Sequence, residues 1–432
     1  MKLLHVYKKQ SNIRIFLGIL IISFFSFYLH FAFAQTAAVL GSIIDQKNNE
    51  ISQLEQEIKM YQGQLDDLGK QKSSLSGSIK ELDLTRKKLI ANINLTQSKI
   101  DKTNSKIQGL SSQIGDKQDA IANAISAIEL GLRTTNESDQ ENVLGTLLSE
   151  KNFTLMWNDI DNIATIHNKI REEIAVLRQT KGALEDTRQE SIDAKKELTL
   201  LKSNLADQKK IVEQNTNDKK KLLEQTKNNE SNYQKLLADR LAKKDAFEKE
   251  LREYELKLKY VLDPSKLPEG RVFSWPLEKI YITQLFGKTA GAKRLYASGT
   301  HNGVDFRASV GTPVMAMSDG VVAGTGNTDT ECKGVSFGRF VFIKYNNGLA
   351  SAFGHLSLIK VSSGESVVRG QVIGYSGNTG YSTGPHLHVT VYAPGAAEVR
   401  TIPSKSCPGK ILTQPIASTE AYLDPMKYLP VY

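Results

Sequence analysis

Apolar residues recur at every seventh position from Ile51 to Ile128, in a seam where ten of twelve positions are apolar. A companion seam three residues further on is apolar at eight of eleven positions. A second run with this pattern extends from Ile170 to Val212, and helical composition continues to about Leu262. Because a repeat of 3.5 residues favours supercoiled helices, the pattern predicts a coiled coil whose first helix is about 115 Å long. Two long helices joined by a turn most simply form an antiparallel hairpin.

The segment between the two helical runs combines polar and apolar residues. Thr134–Asp139 is polar and typical of a turn, whereas residues 143–160 contain a dense apolar cluster that includes Phe153, Met156 and Trp157. One interpretation is a hairpin tip that packs its own small core. The other is a docking patch for a partner, since an apolar patch at the far end of a long hairpin has little else to bury against.

The pattern changes after a linker at residues 263–270, which contains two prolines and ends at Gly270. Phe340–Tyr345 and Leu349–Phe353 flank Asn346-Asn347-Gly348, a hairpin signal. Further short strands are predicted at Val314–Met317, Gly320–Ala323, Val367–Ile373 and Leu387–Tyr392. The predicted fold class is therefore multidomain, with a long antiparallel α-helical coiled coil at 35–262 followed by an all-β domain at 271–432.

The first 34 residues have the organisation of an export signal. Four basic residues and no acidic ones precede or flank an apolar run from Ile15 to about Tyr28, and Ala32-Phe33-Ala34 has the form of a cleavage site. The alternative is an uncleaved anchor, because Ile15–Ala34 is long enough to span a bilayer. Either interpretation places the rest of the chain outside the cytoplasm, in the cell envelope.

The distribution of charge along the chain excludes one class of function. The formal charge is +9, but residues 35–270 carry 37 basic and 38 acidic side chains, whereas residues 271–432 carry 15 and 9. A uniformly basic nucleic-acid binder is excluded, and no nucleic-acid partner is expected.

Cys332 and Cys407 are the two cysteines of the chain. Outside the cytoplasm we expect them to form a disulfide, which would close a loop of about 75 residues and contribute about 4 kcal/mol to stability.

Histidines concentrate in the β domain, which contains four of the seven. Two of its histidine pairings are informative: His301 with Asp305, and His386 with His388. Side chains at even spacing share one face of an extended strand, so each pair can point the same way. Two imidazoles and a carboxylate from neighbouring strands are the ligands of a catalytic zinc site with one open position.

These motifs resemble the lysostaphin-type zinc metallopeptidases, which cut cross-bridges and stem peptides of peptidoglycan. The resemblance covers residues 271 to about 395 and rests on four motifs in order: His301–Phe306, Val310–Val314, Gly354–Ser357 and Gly384–His388. It implies that His301, Asp305 and His388 bind zinc, and that His355 and His386 are catalytic histidines that do not bind the metal. Phe353-Gly354 stands where family members often have Tyr-Ala, which leaves His355 in place.

A coiled coil ahead of such a domain also resembles the murein-hydrolase activators linked to the division machinery, on which a membrane complex docks. Members that only activate other enzymes have lost zinc ligands, whereas this chain keeps all five positions. We therefore expect a zinc-dependent peptidoglycan endopeptidase that the coiled coil recruits or restrains. The alternative is a non-catalytic activator of other cell-wall hydrolases, such as amidases.

Overall fold

The computed structural model describes residues 39–68, 74–140, 153–258, 260–296 and 298–432. The predicted signal at residues 1–34 lies outside these residues. So do residues 143–152 of the apolar cluster and the side chains of Phe153, Met156 and Trp157. In the part of the chain that is described, no helix has the length and apolar character needed to cross a membrane.

The N-terminal half is helical, as predicted. The single first helix expected from Ile51 to Ile128 is wrong, however, because one helix ends at residue 67 and the next begins at Leu75. Helix α1 covers residues 39–67, and it is followed by α2 (Leu75–Gln140), α3 (Phe153–Thr226) and α4 (Glu230–Lys257). The break between α3 and α4 was not predicted. Lys227 and Asn228 both have positive φ, and the Asn229 side chain accepts a hydrogen bond from the backbone N–H of Asn232, which caps α4.

The chain divides into two compact units, and the predicted seams supply buried residues in each. One unit comprises the described residues of Met1–Gln53 together with Leu95–Asn204, where Ile100 and Leu110 are buried. The other comprises Leu54–Asn94 and Leu205–Tyr432, and therefore includes α4 and the β domain. In this second unit Leu89 of α2 and Ile211 of α3 are buried together.

The β domain contains twelve strands and one short helix, α5 (Ala290–Leu295). The strands are β1 (Ile282–Gln284), β2 (Val304–Arg307), β3 (Pro313–Met315), β4 (Gly320–Asn327), β5 (Arg339–Tyr345), β6 (Ala350–Ile359), β7 (Ser366–Val367), β8 (Val372–Ser376), β9 (His386–Tyr392), β10 (Ala397–Ser404), β11 (Lys410–Ala417) and β12 (Tyr422–Leu423). Their pairing is antiparallel, which confirms the predicted fold class of a helical region followed by an all-β domain.

The main sheet has the order β1-β2-β9-β6-β5-β4-β7, with β12 against β9 and β8 between β3 and β6. Strands β2, β9 and β6 lie side by side, with Asp305 opposite His388 and Gly354 also opposite His388. This register brings three of the sequence motifs to one region of the sheet. Beneath it, the core is formed by buried aliphatic and aromatic residues such as Val304, Phe306 and Phe353.

The hairpin predicted around Asn346-Asn347-Gly348 is present between β5 and β6, where Gly348 has positive φ. The single strand expected at Val367–Ile373 is wrong, because β7 ends at Val367 and β8 begins at Val372. Between them the chain turns at Gly370, whose φ of 82° suits glycine, and the Gly370 N–H donates to the Ala316 carbonyl.

Strands β10 and β11 form a separate two-stranded sheet. A disulfide joins Cys332 to Cys407, with their Cα atoms 6.2 Å apart. Both cysteines belong to a small apolar cluster that also contains Phe247 from α4. Helix α4 is thereby packed against the β domain.

Candidate metal centre and the groove above it

Three side chains converge at the junction of β2 and β9. Asp305 lies on β2 and His388 lies opposite it on β9, and both are buried. His301 precedes β2 and forms an isolated bridge with Gly287. The expectation that His301 and Asp305 share one face of a single strand is therefore wrong in detail. The chain bends at Gly303, where a Cβ atom would lie 2.5 Å from the Val389 carbonyl oxygen and 2.7 Å from the His388 ring.

The ligand atoms of these three residues have the spacing of a metal site. His388 Nδ1 lies 2.8 Å from Asp305 Oδ1 and 3.1 Å from His301 Nε2, and the latter two atoms are 3.3 Å apart. A tetrahedral ion with bonds of about 2.0–2.1 Å separates its ligand atoms by about 3.3 Å. Two imidazole nitrogens and a carboxylate oxygen are also a suitable donor set for zinc. The group can therefore hold a metal ion.

Hydrogen bonds behind the cluster fix the state of its rings. His301 Nδ1 donates to the Leu285 carbonyl at 3.1 Å, which leaves Nε2 with its lone pair toward the other ligands. His388 Nε2 lies 2.8 Å from the hydroxyl of Thr390, which is fully buried, and donating to it frees Nδ1 for a metal. Burial acts to raise the pKa of Asp305, but its contacts with His301 and His388 hold that pKa well below its ordinary value. Such contacts behind metal ligands orient them and tune their basicity.

The two remaining histidines flank this cluster. His355 lies on β6, and its ring centroid is 4.6 Å from that of His386 and 5.8 Å from that of His388. Its Nδ1 donates to the Thr379 carbonyl at 2.8 Å, so Nε2 is the unprotonated nitrogen of the neutral ring. Burial, followed by the neighbouring His386 and His388, lowers the pKa of His355 well below its ordinary value. His386 Nδ1 similarly donates to the Gly384 carbonyl at 2.8 Å.

The backbone at His355 is unusual, because this residue has a φ of 61° although it is not glycine. Its N–H donates to the Phe337 carbonyl at 2.7 Å, and its ring is held by Thr379 on the opposite side. A non-glycine residue in the left-handed region is costly, and such residues concentrate at functional sites. The fold thus fixes the direction in which this imidazole points.

Helix α4 covers the groove above the histidines. Together with the β domain it lines a cavity of about 230 Å³, whose lining includes Lys244 and Glu255 of the helix and His355 and His388 of the domain. Pockets that hold a drug-sized ligand measure about 300–1,000 Å³. With α4 in this position, the cavity above the histidines is smaller than such pockets.

Three contacts hold α4 in place. The Phe247 ring is 2% exposed and packs beside the disulfide. The Glu250 carboxylate accepts hydrogen bonds from the backbone N–H groups of Lys405 at 2.7 Å and Ser406 at 2.9 Å. Glu255 accepts one from the Tyr422 hydroxyl. The helix is therefore docked through both apolar and polar contacts.

Glu255 is one of the titratable residues of the interface between α4 and the β domain. It is buried, and burial raises its pKa to about 7, although the Tyr422 hydrogen bond and the nearby Arg252 oppose the shift. Tyr392 also faces it, and burial, then the Glu255 carboxylate, raises the pKa of the Tyr392 hydroxyl. Ionisation of Glu255 is therefore unfavourable while α4 is docked.

All five residues singled out in the sequence lie within this one region. The structure adds residues that the sequence did not indicate, namely Lys244, Phe247, Glu250 and Glu255 of α4, Thr390 behind the cluster, and Tyr296 and Tyr381 in the groove. A sequence signal that could have indicated the start of α4 is Asn229, which caps this helix. The apolar cluster near Trp157 is not tested, since its side chains lie outside the described residues.

The structure thus has an antiparallel β domain with a buried His-Asp-His cluster that can hold a metal ion. Comparisons with known proteins show what this domain is similar to. Residues 299–399 match the model of peptidase family M23. The peptidoglycan DD-endopeptidase ShyA of Vibrio cholerae is 43% identical over 121 residues, which are 27% of this chain and 27% of ShyA. The glycyl-glycine endopeptidase ALE-1 of Staphylococcus capitis is 45% identical over 91 residues, or 21% of this chain and 24% of ALE-1. Over residues 299–399 the chain is therefore similar to the M23 peptidases.

The chain spans about a quarter of the length of these curated relatives. The solved catalytic domain of lysostaphin from Staphylococcus simulans is 30% identical, with 34% of this chain and 90% of that chain covered and a TM-score of 0.26. The similarity to the M23 family rests on the sequence matches.

Proposed function

We propose that this protein is an exported zinc metallopeptidase that hydrolyses amide bonds in the peptides of peptidoglycan. The observation that carries the proposal is the convergence of His301 Nε2, Asp305 Oδ1 and His388 Nδ1 within 2.8–3.3 Å of one another. The similarity to relatives named as peptidoglycan and glycyl-glycine endopeptidases supports it.

In this proposal His301, Asp305 and His388 hold one zinc ion. When bound, the ion would lower the pKa of a water molecule to about 7 and polarise the scissile carbonyl group. Thr390 and the Leu285 carbonyl hold the two imidazoles in the orientation that this requires. These three side chains can bind the ion without a large movement, because their ligand atoms already lie close to the spacing of a tetrahedral site.

His355 and His386 are the proposed proton carriers. In both rings Nδ1 donates to a backbone carbonyl, so Nε2 is the atom that accepts a proton from the attacking water. The lowered pKa of His355 keeps this ring neutral and able to accept. The resulting imidazolium then donates a proton to the nitrogen of the leaving amine. Either histidine has the geometry for this exchange.

The helical region is proposed to restrain the enzyme. Helix α4 leaves a cavity of about 230 Å³ above the histidines, so substrate enters only after the helix moves away. A membrane complex of the division machinery is the proposed partner that moves it, with the apolar cluster around Phe153, Met156 and Trp157 as its docking patch. The alternative of a non-catalytic activator is not favoured, because the ligand set and both further histidines are intact.

The catalytic proposal is tested by three full-length variants assayed for zinc content and for amines released from purified peptidoglycan. His388→Ala is expected to lose both zinc and activity, whereas His355→Ala loses activity and keeps zinc. His167→Ala, at an exposed histidine of α3, serves as the matched control and keeps both. Activity in His355→Ala equal to that of the control would contradict the role given to this residue.

The restraint is tested by comparing residues 35–432 with residues 270–432 at matched zinc occupancy. Because the shorter chain lacks α4, we expect it to hydrolyse purified peptidoglycan faster. Equal rates would leave the helical region as a spacer and refute the restraint, without affecting the catalytic proposal.

A further inference from the structure

Helix α4 places a lysine inside the groove. Lys244 has a side chain that is only 3% exposed, and it lines the same cavity as His355 and His388. Its Nζ atom lies 4.5 Å from the centre of the Tyr381 ring and 5.5 Å from that of Tyr296. Both distances are within the range of about 6 Å over which a cation is attracted to an aromatic face.

The neighbouring lysine shows that this burial is not required by pairing within the helix. Lys244 Nζ lies 3.2 Å from Asp245 and 3.1 Å from Glu248 of its own helix. Lys243 is also paired within α4, at 2.6 Å from Asp239, yet its side chain remains 44% exposed. An ion pair on this helix therefore forms without burial. What distinguishes Lys244 is the pair of tyrosine rings supplied by the β domain.

Lys244 is charged in this position. Burial acts to lower its pKa, but the Glu248 carboxylate and Tyr381 outweigh this, and the pKa is raised. The two rings thus face an ammonium group and not a neutral amine. Tyr296 also connects the ring pair to the metal cluster, because it stacks on the His301 ring with centroids 5.4 Å apart and planes 9° apart.

We propose that Tyr296 and Tyr381 form a subsite for a primary ammonium group of the substrate, and that Lys244 occupies this subsite while α4 covers the groove. The substrate class is then a peptide with a free amine close to the scissile bond. Such an amine is either the side-chain amine of a diamino acid or the amino terminus of a peptide branch. That the ligand is a substrate rests on the proposed peptidase function, whereas the existence of the ammonium site does not.

The position of the subsite explains why a lysine serves as the plug. Asp245 and Glu248 move away with α4, but both tyrosines remain with the β domain. A substrate ammonium that enters next to His301 would then meet the same two ring faces. The restraint and the substrate would therefore compete for one site.

The first test measures binding and needs no catalysis. The probe is n-butylammonium chloride, with n-butanol as its neutral counterpart, and saturation-transfer NMR is recorded on full-length protein. Lys244→Ala is expected to bind butylammonium at least threefold more tightly than Lys243→Ala, the matched control, and to show no comparable preference for butanol. Equal binding of butylammonium by the two variants would overturn the proposal.

The rings are tested in the Lys244→Ala background. Tyr381→Phe keeps the aromatic face and is expected to retain the preference for butylammonium over butanol. Tyr381→Leu removes the face and is expected to weaken butylammonium binding about three- to tenfold, the range that a cation–π contact supports. Equal binding by the Phe and Leu variants would overturn the proposal. Both variants lack the hydroxyl, and both keep a large apolar side chain, so only a contact with the aromatic face makes them differ.

The second test separates the two sources of the amine. Synthetic wall peptides carry an acetyl group on the side-chain amine, on the terminal amine, on both, or on neither, and the Lys244→Ala protein is assayed on each. We expect kcat/KM to fall about three- to tenfold when one particular amine is acetylated, and the Tyr381→Leu change to remove this difference. Equal hydrolysis of all four peptides would overturn the subsite but leave the peptidase proposal intact. Butylammonium binding without hydrolysis of any peptide would support the subsite and refute the peptidase.

Discussion

The substitution Phe247→Ala is expected to release α4 from the groove above the histidines. This ring is 2% exposed and lies in a cluster with the Cys332–Cys407 disulfide and Val335. Replacing a buried phenylalanine with alanine costs about 3–5 kcal/mol. Because the ring joins α4 to the β domain, most of that cost falls on the docked state. At about 1.4 kcal/mol for each factor of ten, the ratio of docked to undocked helix is expected to fall by about 100-fold or more.

The assay is release of soluble fragments from dye-labelled peptidoglycan by full-length Phe247→Ala at matched zinc content. Its rate is expected to approach that of residues 270–432, because the rate cannot exceed that of a population in which α4 is fully undocked. Leu256→Ala is the control, since this leucine of the same helix is 59% exposed and is expected to leave the rate unchanged. Hydrogen exchange that shows an undocked α4, together with a rate equal to that of the unmodified protein, would refute the reasoning.

Two further predictions concern pH and the support of the metal ligands. Glu255 has its pKa raised to about 7 while docked, against 4.5 ordinarily, so docking is favoured in acid and loses up to about 3 kcal/mol as the pH rises through 7. The groups that face it are Tyr422, Tyr392 and Arg252. The rate of the full-length protein relative to Glu255→Gln is therefore expected to rise from pH 5 to pH 8, and a constant ratio would contradict this sign. Thr390→Val is expected to weaken zinc affinity about 10- to 100-fold, measured by competition with a chelator. Thr390→Ser keeps the hydroxyl, so its zinc affinity is expected to stay within a few-fold of that of the unmodified protein. Equal affinities in the two variants would contradict the role of the hydroxyl.

Part of the site was accessible from the sequence, because the spacing of its two histidines on β9 follows from local geometry. His386 and His388 lie two positions apart on β9, and a strand returns to the same face at every second residue. The position of His301 was harder to predict, since the chain bends at Gly303 to allow the close approach of β9. The structure brings the three expected ligands together, but the path of the backbone between His301 and Asp305 was not predicted.

Docking of α4 could not be predicted in the same way. Its contacts join residues far apart in the sequence, such as Glu250 with Ser406, which are separated by 156 positions. No local pattern marks such a pair, and the seven-residue repeat predicts only that the region is helical. The turn at Lys227 and Asn228 is visible afterwards as a helix-ending signal, but it does not indicate where the next helix packs.

This chain is proposed to cleave amide bonds of peptidoglycan with a zinc ion held by His301, Asp305 and His388. The proposal is tested by counting amines released from purified peptidoglycan by the Phe247→Ala protein containing one zinc per chain, then after chelation, and again after zinc is restored. We expect release to stop on chelation and to return with zinc. Undiminished release after the metal has been removed, or no release from the fully zinc-loaded protein, would contradict it.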